Sequence, residues 1–166
     1  CHPRLYIGPE QIGRLARKPA SGLLANAARD VAARAETYLS SPVFDYPTDT
    51  HNAHLVRARL MQTRVVTLLA RWSQTGAERY RRAALAHVEQ LGAWEYWSWI
   101  AWRQGDARPG AIFDLSYGEN CATLAIAYDW LHATLDARER GMMERIARQR
   151  GLQPFLAHTG RSPAHW

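Results

Sequence analysis

Lysine is nearly missing from this chain. Lys18 is the only one, so arginine carries almost all of a basic balance of 21 Lys+Arg against 15 Asp+Glu. A strong arginine preference often reflects genomic composition and is not by itself a site signal. Cysteine is scarce as well, at 2 in 166 residues, Cys1 and Cys121. That excludes a disulfide framework, and with no clustered Cys/His set there is no zinc spacing. No apolar run approaches the ~20 residues of a membrane-spanning helix. Nor is there a His-Glu-x-x-His helix, a Gly-x-Ser-x-Gly elbow or a phosphate-binding glycine loop. The seven histidines are scattered, and His51 and His54 sit too close to a helix start to make a metal pair. No metal site and no cofactor are expected. The first residues lack a signal peptide. The opening Cys1 is read first as a segment boundary and second as the lipidated cysteine of a lipoprotein.

What is present is a helical domain. Apolar residues make up 47% of the chain, which rules out disorder, and the length suffices for one domain with a real core. Phe113 to Leu135 is the organising stretch. Tyr117, Cys121, Leu124, Tyr128, Leu131 and Leu135 recur at steps of four and three, an unbroken helical stripe. Ala122, Ala125, Ile126 and Trp130 fill much of the rest of the circumference, so this helix is expected to be buried on most sides. Asp114 is placed to cap it, and Ser116 with Glu119 fits the capping-box pattern.

The other elements fall into line around it. Pro3 makes His2 to Tyr6 extended, and Pro9 opens a short helix to about Arg17. A second helix runs from about Ser21 to Leu39, with Leu24, Ala28, Val31, Ala35 and Tyr38 on one side. A third runs from about Asn52 to Trp72 on the stripe Ala58, Met61, Val65, Leu68, Trp72. Arg57, Arg64 and Arg71 share another of its faces, read as solvated, with an anion-binding ladder as the sharper alternative. A turn at 73–76 leads to a fourth helix, about Ala77 to Leu91, with Tyr80, Ala84, Val88 and Leu91 apolar and Gly92 as its stop. A long connection, Gly92 to Ile112, precedes the central helix, and long irregular connections are often functional. A last helix starts at Asp136, with Glu139 as capping-box partner, and runs to about Arg150 before Gly151. The tail from Leu152 reads as loop or a short extra turn. With about six helices, short turns and no convincing strand, the fold class is all-α, built of antiparallel helical hairpins, in one domain over residues 1–166.

The chemistry-bearing residues cluster in the long connection and at the mouth of the central helix. Trp94, Tyr96, Trp97, Trp99 and Trp102 lie within nine residues, and flat indole rings stack on sugar faces or on bases. Their structural alternative is to plug the end of the helical core. Glu119 has a capping role available, whereas Asn120 does not and is free to hydrogen-bond a carboxylate or hydroxyl. Asp129 reads as a buried structural acceptor before a catalytic carboxylate. Trp94, Trp97, Trp99, Tyr117, Glu119 and Asn120 are the candidate substrate-binding residues. No complete catalytic set can be assembled, so the catalytic residues stay unassigned.

Several of these stretches resemble the heparinase II/III-like polysaccharide lyases, which include the oligoalginate lyases. They are His2-Pro3-Arg4-Leu5-Tyr6 with a helix from Pro9, Trp94-x-x-Trp97, Phe113-Asp114-Leu115, Gly118-Glu119, Ala125 to Leu131 with its Tyr128-Asp129-Trp130-Leu131, and Leu135-Asp136-x-x-Glu139-Arg140. The order and spacing fit across nearly the whole chain. The resemblance implies the first hairpins of an (α/α) toroid. It also implies β-elimination at a uronic-acid glycosidic bond, in which donors neutralise the carboxylate while a tyrosine or histidine removes the C5 proton. In that family the catalytic Asn, His and Tyr come mainly after an Asn-Trp-Asn-like segment expected just beyond Trp166. No catalytic residue is therefore carried over, and this segment alone is expected to be inactive.

The expected partners are an anionic polysaccharide or oligosaccharide and the C-terminal remainder of the same chain, in a periplasmic or secreted setting, lipid-anchored if Cys1 is a lipoprotein start. A net charge of +6 favours acidic partners. Nucleic acid is not expected, because the arginines are spread over several helices and no recognition motif occurs. Alternatives are a non-catalytic helical module binding carbohydrate or protein, and a toroid of other chemistry such as a glycoside hydrolase. The latter would need paired carboxylates, and none is convincing.

Overall fold

The third sequence stripe, rather than the central one, makes the hub of the fold. We describe a computed structural model covering residues 2–15, 17, 21–42, 44–104 and 113–159. Every regular element among these residues is helical: α1 (Pro9–Leu15), α2 (Gly22–Ser40), α3 (His51–Thr75), α4 (Glu78–Ala93), α5 (Trp99–Gln104), α6 (Leu115–Leu131), α7 (Ala137–Ile146) and α8 (Gln153–Thr159), with one π-helical turn, Ala147–Leu152, between the last two. The fold is all-α, as expected. No helix is long and apolar enough to cross a membrane, among the described residues.

α3 packs against α1, α2, α4, α5 and α6. Its stripe Ala58, Met61, Val65 and Leu68 is fully enclosed, with Trp72 half-buried at the end. α3 runs on to Thr75, past the expected turn, and closes at Gly76, whose left-handed φ of 67° brings its N–H to the Trp72 carbonyl at 2.7 Å. The connection to α4 is so short that the two helices run antiparallel. On α4, Tyr80, Ala84, Val88 and Leu91 meet the core as expected.

Two expectations are corrected, while α6 is buried on most sides, as expected. Its deepest residues are Ser116, Asn120, Thr123, Ala127 and Leu131, while Tyr117, Cys121 and Tyr128 are half-buried and Ala125 is exposed. Leu124, Leu131 and Leu135 of the apolar stripe join the core, while its Tyr117, Cys121 and Tyr128 stay along a partly open flank. In α2, Leu24 is 72% exposed and the buried residues are Ala25 and Ala35. Gly92 is not a helix stop, because α4 continues to Ala93. It is glycine because Ile146 of α7 lies on it: a β-carbon there would sit 2.5 Å from Ile146 Cδ1 and 2.6 Å from Cγ1.

The arginine face of α3 is neither a solvated face nor an open ladder. Arg57 is buried, and its guanidinium lies 3.9 Å from the Trp94 ring centroid. Arg64 donates to the Ser41 carbonyl at 2.9 Å and lies over the Tyr38 and Phe44 rings. Arg71 stands 5.8 Å from the Tyr80 ring. The guanidinium plane is suited to this kind of interior contact. A further arginine, Arg81, ties α4 to α7. It donates to Glu78 and Glu139 and to the Thr134 carbonyl. Glu139 also completes the predicted capping box with Asp136.

His87 is fully buried and its tautomer is set by its neighbours. Arg64 can only donate, so the Nε2 atom 2.9 Å from Arg64 Nη1 is the acceptor, and Nδ1–H donates to the Ala83 carbonyl at 2.7 Å. Burial, with the Arg64 charge acting the same way, holds this imidazole below the ordinary histidine range. His54, also buried, is lowered by burial and by Arg57. A histidine whose folded pKa is depressed contributes stability above its unfolded value of about 6.5, and that contribution is lost as the pH falls below it. The urea midpoint is expected to fall between pH 7.5 and pH 5, and to fall less in His87→Gln than in the parent. Gly92→Ala is expected to cost about 1–3 kcal/mol by overpacking. In an Ile146→Ala background the same change becomes neutral or slightly favourable, as Gly→Ala in a helix is by ~0.5–1 kcal/mol, which a double-mutant cycle by urea denaturation reads directly.

Candidate functional site

The connection after α4 has no regular ladder for its carbonyls, and buried carbonyls need partners. Side chains from three elements supply them. Arg150, on the π-helical turn, donates to the carbonyls of Trp94 and Glu95. Arg57, from α3, donates to Tyr96 O at 2.7 Å. Asn120, from α6, donates to Trp97 O at 3.1 Å. Four successive carbonyls, residues 94–97, are thus held from three sides. Burial and the neighbouring Arg150 charge bring the Arg57 guanidinium down to about 10, with Asp45 opposing. The sequence does not point to Arg150, and it offers Arg57 only as part of the arginine face of α3, not as a partner of this loop.

Beyond residue 97 the chain forms a short helix, α5, instead of continuing as loop. Ser98 Oγ accepts from Ala101 N at 3.1 Å at its start. Asp114 caps α6 as expected, accepting from Tyr117 N at 3.0 Å, and its second oxygen accepts from Ile100 N at 3.3 Å. One carboxylate therefore joins both helices. Ser116 takes no part in the cap and is fully buried inside the first turn. Residues 105–112, the polar second half of the connection, and 160–166 of the tail lie outside the described residues.

The six candidate residues divide into three groups. Trp97, Tyr117 and Asn120 come together. Trp97 is 5% exposed with its indole N–H donated to Leu91 O at 3.0 Å, and its ring meets Tyr117 edge-on at 6.3 Å. Asn120 is buried, and its Oδ1 has no hydrogen-bond partner among the described residues. Trp94 and Trp99 stay half-buried near the surface. Trp94 carries Arg57 on its face; Trp99 has the Arg103 guanidinium at 5.0 Å and the His51 ring at 5.5 Å. Glu119 stands apart from the others. It neither caps nor joins the aromatic loop, but pairs with Arg59 of α3 at 3.0 Å. Among the described residues no group of three His, Cys, Asp or Glu side chains is arranged to hold a metal ion.

A second feature runs along the other side of α6. A groove of about 900 Å³ is bounded by α6, α7, the π-helical turn, α8 and the N-terminal segment. Tyr117 closes one end, its hydroxyl donating to the Gly151 carbonyl. Burial, reinforced by Cys121, pushes this phenol above its ordinary range. At the opposite end Asp129 holds the N-terminal segment. Its Oδ2 accepts from the backbone N–H groups of Arg4, at 2.6 Å, and Leu5, at 2.8 Å, and its Oδ1 pairs with His2 Nδ1. Trp130 Nε1 donates to Leu5 O at 3.2 Å, and His132 stacks on His2 at 3.9 Å. Burial alone would raise Asp129, but the hydrogen bonds from Leu5, Arg4 and His2 outweigh it and hold the carboxyl below its ordinary range. Asp129 is thus the buried acceptor the sequence suggests.

No protein-family model matches this chain, and no curated protein matches it.

Asp129→Ala is expected to release residues 2–7 without unfolding the bundle. Hydrogen exchange will detect this as loss of protection at the Arg4 and Leu5 amides, while amides of α3 and α4 keep theirs. Equal loss everywhere would instead mark Asp129 as part of the core.

Proposed function

We propose that this chain is the N-terminal helical part of a polysaccharide lyase, the first arc of an (α/α) toroid, acting on a uronate-containing anionic glycan in the periplasm or outside the cell. Its proton-transfer groups belong to other residues of the full protein. The observation that carries this reading is the pairing of a half-exposed indole with an exposed guanidinium at the loop end of the bundle, Trp99 with Arg103. An acidic sugar offers an apolar ring face and a carboxylate side by side, and an indole beside an arginine complements both. The carbonyls of residues 94–97 are already fixed by Arg57, Arg150 and Asn120. The loop therefore meets a ligand with little ordering cost. The lyase-like stretches His2 to Tyr6 and Tyr128 to Leu131 are far apart in sequence yet touch through Asp129 and Trp130. This contact gives the two stretches a shared structural reason to occur together. The +6 charge acts in the same direction.

The chain is expected to bind oligosaccharides of alginate, heparan sulfate or hyaluronan in isothermal titration, and not a neutral glucan. Trp99→Ala and Arg103→Gln are each expected to weaken binding about fivefold to tenfold, the scale of a ~1–1.4 kcal/mol contact. In the full-length protein, turnover is read from the ultraviolet absorbance of the unsaturated uronate product. Binding without turnover there would favour the non-catalytic module. No binding to any acidic glycan, or binding indifferent to both substitutions, would remove this assignment.

A further inference from the structure

The groove beside α6 is separate from the tryptophan–arginine surface and differs from it in chemistry. It follows α6 from Tyr117 to Asp129, twelve residues or about 18 Å at the helical rise, and its volume of about 900 Å³ lies in the range of small-molecule sites. The floor between the two ends is formed by Cys121, Leu124 and Ala125 of α6 and by Met143 and Ala147 across from them. It offers no strong hydrogen-bond donor. A sugar carries hydroxyls along its whole length and would lose its water there without replacement.

The two ends are unlike. At the Tyr117 end the walls are aromatic, with Trp97 and Phe155, and the Tyr117 hydroxyl is already used by Gly151. At the Asp129 end the groove becomes charged. Asp129 is covered by its three donors and turned inward. Glu144 accepts from the Tyr128 hydroxyl at 3.1 Å, and Tyr128 in turn accepts from Arg140 at 3.1 Å. The Arg4 side chain is exposed, and among the described residues its polar contact is to His2 Nε2 at 3.4 Å. Arg148, also on the rim, has no ion pair among the described residues. Of the charged side chains that line the groove, the carboxylates of Asp129 and Glu144 are each engaged by donors, whereas the guanidinium groups of Arg4 and Arg148 have no ion pair among the described residues, and Arg4 is the one beside Asp129.

We propose that the groove binds a small amphipathic carboxylic acid, an unbranched aliphatic or aryl-alkyl acid whose apolar tail lies along Leu124 and Ala125 toward Tyr117 and whose carboxylate meets Arg4. Charge complementarity selects the acid at one end. The lack of donors along the floor selects a hydrocarbon tail over a sugar or a peptide backbone. This assignment stands whether or not the loop surface binds glycans.

The test is isothermal titration of the protein with decanoate, decan-1-ol and glucuronate, backed by sedimentation velocity. Decanoate is expected to bind at one per chain. Arg4→Gln removes a charge-assisted contact while keeping the backbone N–H that Asp129 holds. It should weaken decanoate about tenfold and leave decan-1-ol unchanged. Ala125→Trp fills the exposed floor and should abolish binding of both. Both positions are at the surface, and unchanged far-ultraviolet dichroism checks that each variant is folded. Arg59→Gln, outside the groove, should change nothing. Absence of saturable decanoate binding overturns the proposal, as does binding indifferent to Ala125→Trp. If Ala125→Trp abolishes binding but Arg4→Gln does not weaken it, the acid is not what the site reads and the proposal falls. Glucuronate binding lost in Ala125→Trp would make this a sugar-acid site instead. Self-association lost in Ala125→Trp, without decanoate binding, would make it an interface between copies.

Discussion

The row of carbonyls from Trp94 to Trp97 is the constraint on which the loop end of this fold depends. A chain leaving a helix and crossing the top of a bundle brings polar backbone into low-dielectric surroundings, where each unpaired carbonyl carries a desolvation cost. Three long side chains meet that need from three different elements. Arg57 and Arg150 also bring positive charges into the interior, which would be prohibitive without acceptors. Carbonyl oxygens on one side and indole faces on the other supply the compensation: Arg57 against Trp94, Arg150 near Trp97 at 5.7 Å. The two requirements answer each other. The loop is ordered because the guanidinium groups are buried, and these stay charged because the loop offers them oxygen and π-density.

This makes the arginine bias structural at many positions. A lysine in place of Arg57 or Arg64 would carry the charge but not the planar fork that binds a carbonyl while stacking on a ring. Arg64 does three things at once, meeting the Ser41 carbonyl, the His87 imidazole and two aromatic rings. Arg81 bridges two helices through two carboxylates and a backbone oxygen. The arginines left on the surface, such as Arg103 beside Trp99, are the ones available to a ligand.

The parts of the fold legible in the sequence are those governed by local or strongly periodic signals. The stripes of α3 and α4, the Asp114 cap, the Asp136–Glu139 box and the buried role of Asp129 were all readable from residue type and spacing. The misread parts depend on what lies opposite. Periodicity says that Arg57, Arg64 and Arg71 share a face, but not that aromatic rings and carbonyls from α2, α4 and the 94–97 loop would cover it. The large apolar residues of α6 outweigh its small ones in any hydropathy sum. Yet Ser116, Asn120, Thr123 and Ala127 are, with Leu131, its most deeply buried positions, and α6 packs against α3. Gly92 offered a stop signal that its neighbour Ile146 explains instead. In the candidate site, the cluster of Trp97, Tyr117 and Asn120 was visible as proximity in sequence. Its clamp by Arg150 was not, because that residue reaches the loop only through the π-helical turn.

The open side of α6 has a consequence of its own. Tyr117, Cys121 and Tyr128, the half-buried part of the apolar stripe, lie with Leu124 along the groove. α7 and the π-helical turn cover part of this side, and α8 stands off far enough to leave the groove open. The Tyr117–Gly151 hydrogen bond pins one end, and the N-terminal segment held on Asp129 defines the other. α6 therefore separates two environments. Arginines and indoles at its N-terminal end make a polar, preorganised surface, while its flank makes an apolar channel with a charged mouth. Asn120 and Cys121 are adjacent in sequence and fall on opposite sides of this division, one donating to the clamped loop and one lining the channel. A side chain at one of these positions can be exchanged with little physical reason for the other surface to respond, since the helix backbone between them is fixed by its packing on α3.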